Sequence, residues 1–172
     1  MGSLGDFWSW ACSDLANNVM RGVLAEYLVA MALGEVDGTR SEWDSVDIRT
    51  AEQWRIEVKS AAYLQSWAQL RPSEISFSIA PATGWDAQTG LTSNDVLRRS
   101  DVYVFCLLHH EEKQNLDPLD LSQWTFLRAV HSSAGRTMSR TEDNQALQPP
   151  ATGGGAGYLL RPAQGGGRMR WW

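Results

Sequence analysis

A chain of 172 residues, 43% hydrophobic and with nine Trp, is long enough to bury one sizeable core and too apolar to be disordered throughout. Its net charge of −5, from 15 Lys and Arg against 20 Asp and Glu, excludes a strongly basic protein that coats nucleic acid without specificity. Two cysteines, Cys12 and Cys106, exclude both a disulfide framework and a Cys/His zinc spacing. No run approaches the ~20 apolar residues of a membrane span, and Asp6 interrupts the early apolar residues where a secretory signal would need continuity. The expected setting is a reducing cytoplasm, with no membrane partner.

The first predicted element is a helix. Ser13 or Asp14 caps it, Leu15, Val19, Val23, Tyr27 and Met31 recur at helical spacing, and Gly34 stops it. Glu26 lies roughly 100° round the wheel from Tyr27, at the border of that stripe. There it is either a solvated surface acid or a side chain leaning over the edge of a sheet. Gly22, one turn earlier, leaves that edge uncrowded. Residues 35–45 read as a polar loop turning at Asp37-Gly38. Asp44 is expected to act structurally, as a cap or a partner of Arg40, rather than as a ligand.

Residues 46–48 and 54–59 read as two strands of a hairpin. Side chains alternate across a strand, so Val46 and Ile48 point one way and Asp47 the other. Trp54, Ile56 and Val58 share one face, while Arg55, Glu57 and Lys59 share the opposite face. Folding the segment about Glu52 sets Asp47 opposite Glu57, with Cβ atoms ~5 Å apart. Two carboxylates that close repel unless a proton or cation sits between them. Lys59 alone neutralises one. A divalent cation such as Mg²⁺, which takes one or two carboxylates plus water and phosphate oxygens, suits the pair better.

After Lys59 the chain leaves the strand, through residues 60–67, as an extended exit or a short helical turn. Gln65 there is a candidate to touch a phosphate or orient a water, against the plainer reading of an exposed loop Gln. Residues 75–79 alternate cleanly as the next strand, with a Ser side able to face a phosphate backbone or simply solvent. Residues 81–94 read as a flexible loop whose Trp85 either stacks on a base or packs back on the domain. A short helix is expected around residues 93–97. Arg98 and Arg99 then close the loop as the best local candidates for phosphate contacts, or as a solvated pair.

Residues 102–108 form a continuous apolar run, the signature of a central strand buried on both faces. His109 and His110 follow it, and as neighbours on an extended chain they point apart, which makes a poor bidentate metal site. His131 has no evident partner. Residues 121–130 read as a final edge strand. From about residue 132 the character changes: residues 134–172 hold 8 of the 15 Gly, 3 of the 6 Pro and five Arg against two acids. That composition, without periodicity, predicts a disordered tail. The expected organisation is one domain over residues 1–133 and a low-complexity tail over 134–172. The domain part carries 10 Lys and Arg against 18 Asp and Glu, so any nucleic-acid contact must use a local basic groove.

Asp47 followed by Glu57-Val58-Lys59 resembles the PD-(D/E)XK nuclease superfamily, which includes many restriction endonucleases. The pattern is an acid, a spacer, then acid-x-Lys on the next strand, with a further Glu on the preceding helix, where Glu26 stands. The resemblance covers roughly residues 13 to 131. Val46 stands where the eponymous Pro would precede Asp47.

The resemblance implies a restriction endonuclease-like α/β fold: a mixed sheet flanked by helices. It implies an endonuclease that hydrolyses phosphodiester bonds, with DNA as partner. Asp47, Glu57 and Glu26 would hold Mg²⁺, with Mn²⁺ as a substitute. Lys59 would serve the transition state, and Gln65 would assist. Nothing in the sequence supports a homodimer over a monomer. Two rivals stand beside the enzyme: a non-catalytic module of the same fold that binds nucleic acid or protein, and a structural domain in which Asp47, Glu57 and Lys59 are an ordinary cross-strand ion cluster.

Overall fold

In the computed structural model residues 2–40, 44–85 and 89–130 are described. The predicted tail over 134–172, and His131, lie outside them. In chain order the elements are α1 (Leu4–Ala11), α2 (Asn18–Leu33), β1 (Ile48–Arg49), β2 (Arg55–Ala62), β3 (Ala82–Trp85), β4 (Thr92–Leu97), β5 (Val102–Leu108) and β6 (Trp124–Val130). Single 3-10 turns at Lys113–Asn115 and Leu121–Gln123 lead into β6. No helix of the described residues is long and apolar enough to cross a membrane.

Four strands form one sheet in the order β1-β2-β5-β6, and β3 pairs only with β4. β2 runs parallel to β5, matching Ile56 to Val102 and Ala62 to Leu108, whereas β1 with β2 and β5 with β6 are antiparallel. The sheet is therefore mixed, as expected for this α/β chain. Strand alternation sends Ile56, Val58 and Ala62 of β2, with Val104, Cys106 and Leu108 of β5, to one face, where Leu24, Ala25, Leu28 and Val29 of α2 close the core. Full burial of each Val, Leu or Ile contributes roughly 1.5–3 kcal/mol. The opposite face carries Glu57 and Lys59 in register with Tyr103 and Phe105.

The long helix exists, but it starts later and turns a different side inward. Asn17, not Ser13 or Asp14, is its N-cap, with the side chain accepting from the Met20 amide. Gly34 ends it in the left-handed conformation at φ 76°, as expected of a helix-stopping glycine. Of the stripe read from the sequence, Val19 is 73% exposed, and Tyr27 and Met31 also face out. α2 is apolar around most of its circumference, so periodicity alone leaves the facing ambiguous. Ala25, fully buried, lets the backbone approach the sheet, which selects the Leu24, Ala25, Leu28, Val29 side. The earlier helix α1 was not expected; a Ser3–Asp6 capping box starts it, and none of its residues is buried.

Two further expectations are corrected. Residues 75–79 keep their alternating burial but join no ladder among the described residues. The segment meets the sheet through side chains, Phe77 packing on Phe105 with ring centroids 5.0 Å apart. The expected loop and short helix between 81 and 97 are instead the β3–β4 ribbon, with a register shift between Thr83 and Trp85 that places Gly84 at a bulge.

Candidate active site

The β1–β2 pairing has the register centred on residue 52, with Ile48 opposite Ile56 and Arg49 opposite Arg55. Burial of Val46 and Ile48 pins this edge of the sheet and leaves Asp47 half-buried between them. The ladder ends at Ile48. Just before it, the Asp47 amide donates to Ile56 O at 3.1 Å, and the Asp47 carboxylate turns across the pair so that Oδ2 accepts from the Val58 amide at 2.6 Å. Burial pushes the Asp47 carboxyl up to about 6; the Val58 amide opposes that rise, the charges of Glu57 and Glu26 add to it, and Lys59 draws it back down. An acid lifted by desolvation and two like charges is a group that a cation would stabilise.

Glu57 and Lys59 stand on one face of β2, joined by a Lys59 Nζ–Glu57 Oε1 contact of 2.5 Å. The second Glu57 oxygen accepts from Ser100 Oγ at 3.3 Å. Ser100 is buried just before β5. Glu26 sits on α2 at the rim of a pocket of about 420 Å³ that Asp47 also lines. Its carboxylate is gripped by Arg40 through two contacts, 2.5 and 3.0 Å. Glu57 and Lys59 line a second cleft, of about 300 Å³, together with Arg98, Arg99 and Trp85 from the β3–β4 ribbon and its exit. Asp47 lines the first of these and not the second. Among the described residues, no three His, Cys, Asp or Glu side chains are grouped so as to hold a metal ion by themselves.

The charges of Glu26, Glu57 and Lys59 all reach Asp47, but Glu26 is turned to Arg40 and shares the first pocket with Asp47, while Glu57 and Lys59 line the second cleft. Gln65 lies elsewhere. It is 6% exposed, and its side chain accepts from Arg21 and donates to Ala62 O and Ser73 Oγ. Arg21, 4% exposed, ties Gln65 to Ser60, Ala16 and Asn18, so this polar knot fastens α2 to β2. Asp44 takes structural roles, accepting from the Ser45 amide and pairing with Arg49 at 3.9 Å. His109 and His110 find separate partners in Thr125 and Asn115.

Sequence reasoning missed Arg21, Ser100 and the Val58 amide. Arg21 was legible in principle, since it lies one turn before Leu24 and Ala25 on the buried side of α2. Nothing in the sequence marks Ser100, which reaches Glu57 only through the pairing of β2 with β5.

Compared with known proteins, the chain matches the sequence model of a protein family described as bacteriophage T4 endonuclease IV, over residues 10–138. No curated protein matches it, and no solved structure does.

Proposed function

From the premise that this chain belongs to the bacteriophage T4 endonuclease IV family, we propose that it is a Mg²⁺-dependent endonuclease that hydrolyses phosphodiester bonds in DNA, with a site of the PD-(D/E)XK type. The observation that carries this reading is the desolvated Asp47 carboxylate, held by the Val58 amide beside the Glu57–Lys59 pair. Hard oxygen donors suit Mg²⁺, with Mn²⁺ as a substitute. Asp47 would offer Oδ1, which makes none of the described hydrogen bonds, and Glu57 would share an oxygen. Glu26 would join directly or through water on release from Arg40. Bound there, the metal would polarise a phosphoryl oxygen and lower the pKa of a water.

The chain's own residues do the rest. Lys59, held against Glu57, presents a compact positive charge to the attacking water or to the phosphate as charge develops in the transition state. Ser100 keeps Glu57 from swinging away from Lys59. The Val58 amide orients Asp47. Gln65, engaged with Arg21, Ala62 and Ser73, has no part in the proposed chemistry.

One observation favours the second reading, a module that binds without cutting: Glu26 and Glu57 each already face a basic partner, Arg40 and Lys59. A cleavage assay on labelled single-stranded and duplex oligonucleotides, with Mg²⁺, Mn²⁺ or chelator, decides between them. The enzyme reading expects metal-dependent cuts that Asp47→Asn abolishes. Binding without cleavage under every metal would establish the module instead.

A further inference from the structure

Gly84 sits at the bulge of the β3–β4 ribbon, and the Arg99 guanidinium lies directly on its α-carbon. A Cβ at this position would overlap Arg99 Cζ and Nε. Arg99 is held from its far end by one bond, Nη2 to Asp95 O at 3.1 Å, while its Nε is buried with no hydrogen-bond partner among the described residues. A buried N–H on a charged group left without an acceptor is costly. The same guanidinium lines the cleft that contains Glu57 and Lys59.

The charges of that cleft point the same way. Lys59, Arg98 and Arg99 face two acids, Asp44 and Glu57. Glu57 is matched by Lys59, and Asp44 has Arg49. Arg98 and Arg99, at the exit of the ribbon, thus add two cationic side chains to this lining, in a chain whose net charge is −5. An acidic protein that gathers Lys59, Arg98 and Arg99 along a cleft beside Glu57 has a place for an anion next to the proposed scissile bond.

We propose that Arg99, laid on the Gly84 shelf, is the binding residue for a nucleic-acid backbone phosphate adjacent to the one cleaved. This rests on the nuclease reading above for the identity of the anion. With Nε and Nη2 of Arg99 laid against the ribbon, its Nη1, which makes none of the described hydrogen bonds, is the group left to donate to a phosphate oxygen from a planar, permanently charged guanidinium. Gly84 is required because any side chain there occupies the guanidinium's resting place. The ribbon tolerates such a change, since the displaced atoms are the far end of a flexible side chain.

The test measures binding apart from cleavage. Fluorescein-labelled DNA oligonucleotides, single-stranded and duplex, are titrated with the full chain carrying Asp47→Asn, across a range of salt concentrations. Adding Arg99→Ala is expected to weaken binding about tenfold and to reduce the slope of log K against log salt by about one. Adding Gly84→Ala, which leaves the charge unchanged, is expected to reproduce most of that loss. Arg71→Ala, an exposed cation outside the cleft, is the control and is expected to leave the slope unaltered. Unchanged binding on Arg99→Ala overturns the phosphate site, and a loss with Arg99→Ala that Gly84→Ala does not share overturns the shelf. Failure of the nuclease reading shows separately, as a wild type that binds with the expected slope and cuts nothing.

Discussion

The two hairpins of this protein are built on opposite principles. The β1–β2 pair is anchored: Val46, Ile48, Ile56 and Val58 all enter the core, and the carboxylates it carries are held by backbone and side-chain bonds. The β3–β4 ribbon has no buried residue among its described positions and meets the β1–β2 pair across a cleft lined by its arginines. The anchored hairpin keeps the acids and Lys59 at a set geometry, which the proposed chemistry would require. In the proposed reaction Arg98 and Arg99, at the exit of the ribbon, would meet the substrate backbone instead. The contrast teaches that burial fixes the β1–β2 pair and is not what holds the ribbon.

The largest effects should fall on the anchored side. Ile56, 1% exposed at the centre of the core, is expected to cost about 2–5 kcal/mol when cut to Ala, read as a drop in the denaturation midpoint. Val96 on the ribbon, 64% exposed, should change stability by no more than about 0.5 kcal/mol under the same truncation. Equal losses at the two positions would erase the distinction between the hairpins.

Next comes Lys59. If it serves the transition state, Lys59→Ala lowers the cleavage rate on the order of 10²–10³-fold while oligonucleotide affinity stays nearly intact. Lys59→Arg should restore little, because a guanidinium is wider than an ammonium. A rate unchanged in Lys59→Ala would reduce the Glu57–Lys59 contact to a surface ion pair, worth at most about 1 kcal/mol.

A smaller effect sharpens the account of Asp47. Its carboxyl rises from 3.8 to about 6 on folding, so the folded chain holds that proton more tightly than the unfolded chain. The associated stability is fully present below about pH 4 and is lost as pH rises through 6. Asp47→Asn keeps an oxygen for the Val58 amide and removes the charge. Without metal it should therefore be more stable than wild type at pH 8, by about 2–3 kcal/mol, with the gap closing near pH 4. Thermal melts across that range check it, and a gap independent of pH would mean that Asp47 is not desolvated.

How much of this was legible follows from the same contrast. A strand with one buried face writes its alternation into the sequence, so the hairpin, its register about Glu52 and the central strand of residues 102–108 are readable from residues 46–59 and 102–108. A ribbon without a buried face writes no such pattern, and Thr92–Leu97 passes for a turn of helix. α2 fails differently: its apolar residues surround it, so Val19, Tyr27 and Met31 imitate a core stripe while Ala25 marks the true one. Glu26 and Asp47 line the same pocket, but the grip of Arg40 on Glu26 depends on a loop that no local pattern describes. Gln65 looked exposed because its partner, Arg21, is a charged residue on the buried face of a helix.

The central claim is that Asp47 binds the catalytic cation. Titration calorimetry with Mg²⁺ at pH 6, repeated in buffers of different ionisation enthalpy, tests it directly. Because the Asp47 carboxyl is about half protonated there, metal binding should release about half a proton per ion, and Asp47→Asn should abolish both the binding and the release. Mg²⁺ binding of equal strength in wild type and Asp47→Asn, or binding with no proton released, would contradict the claim.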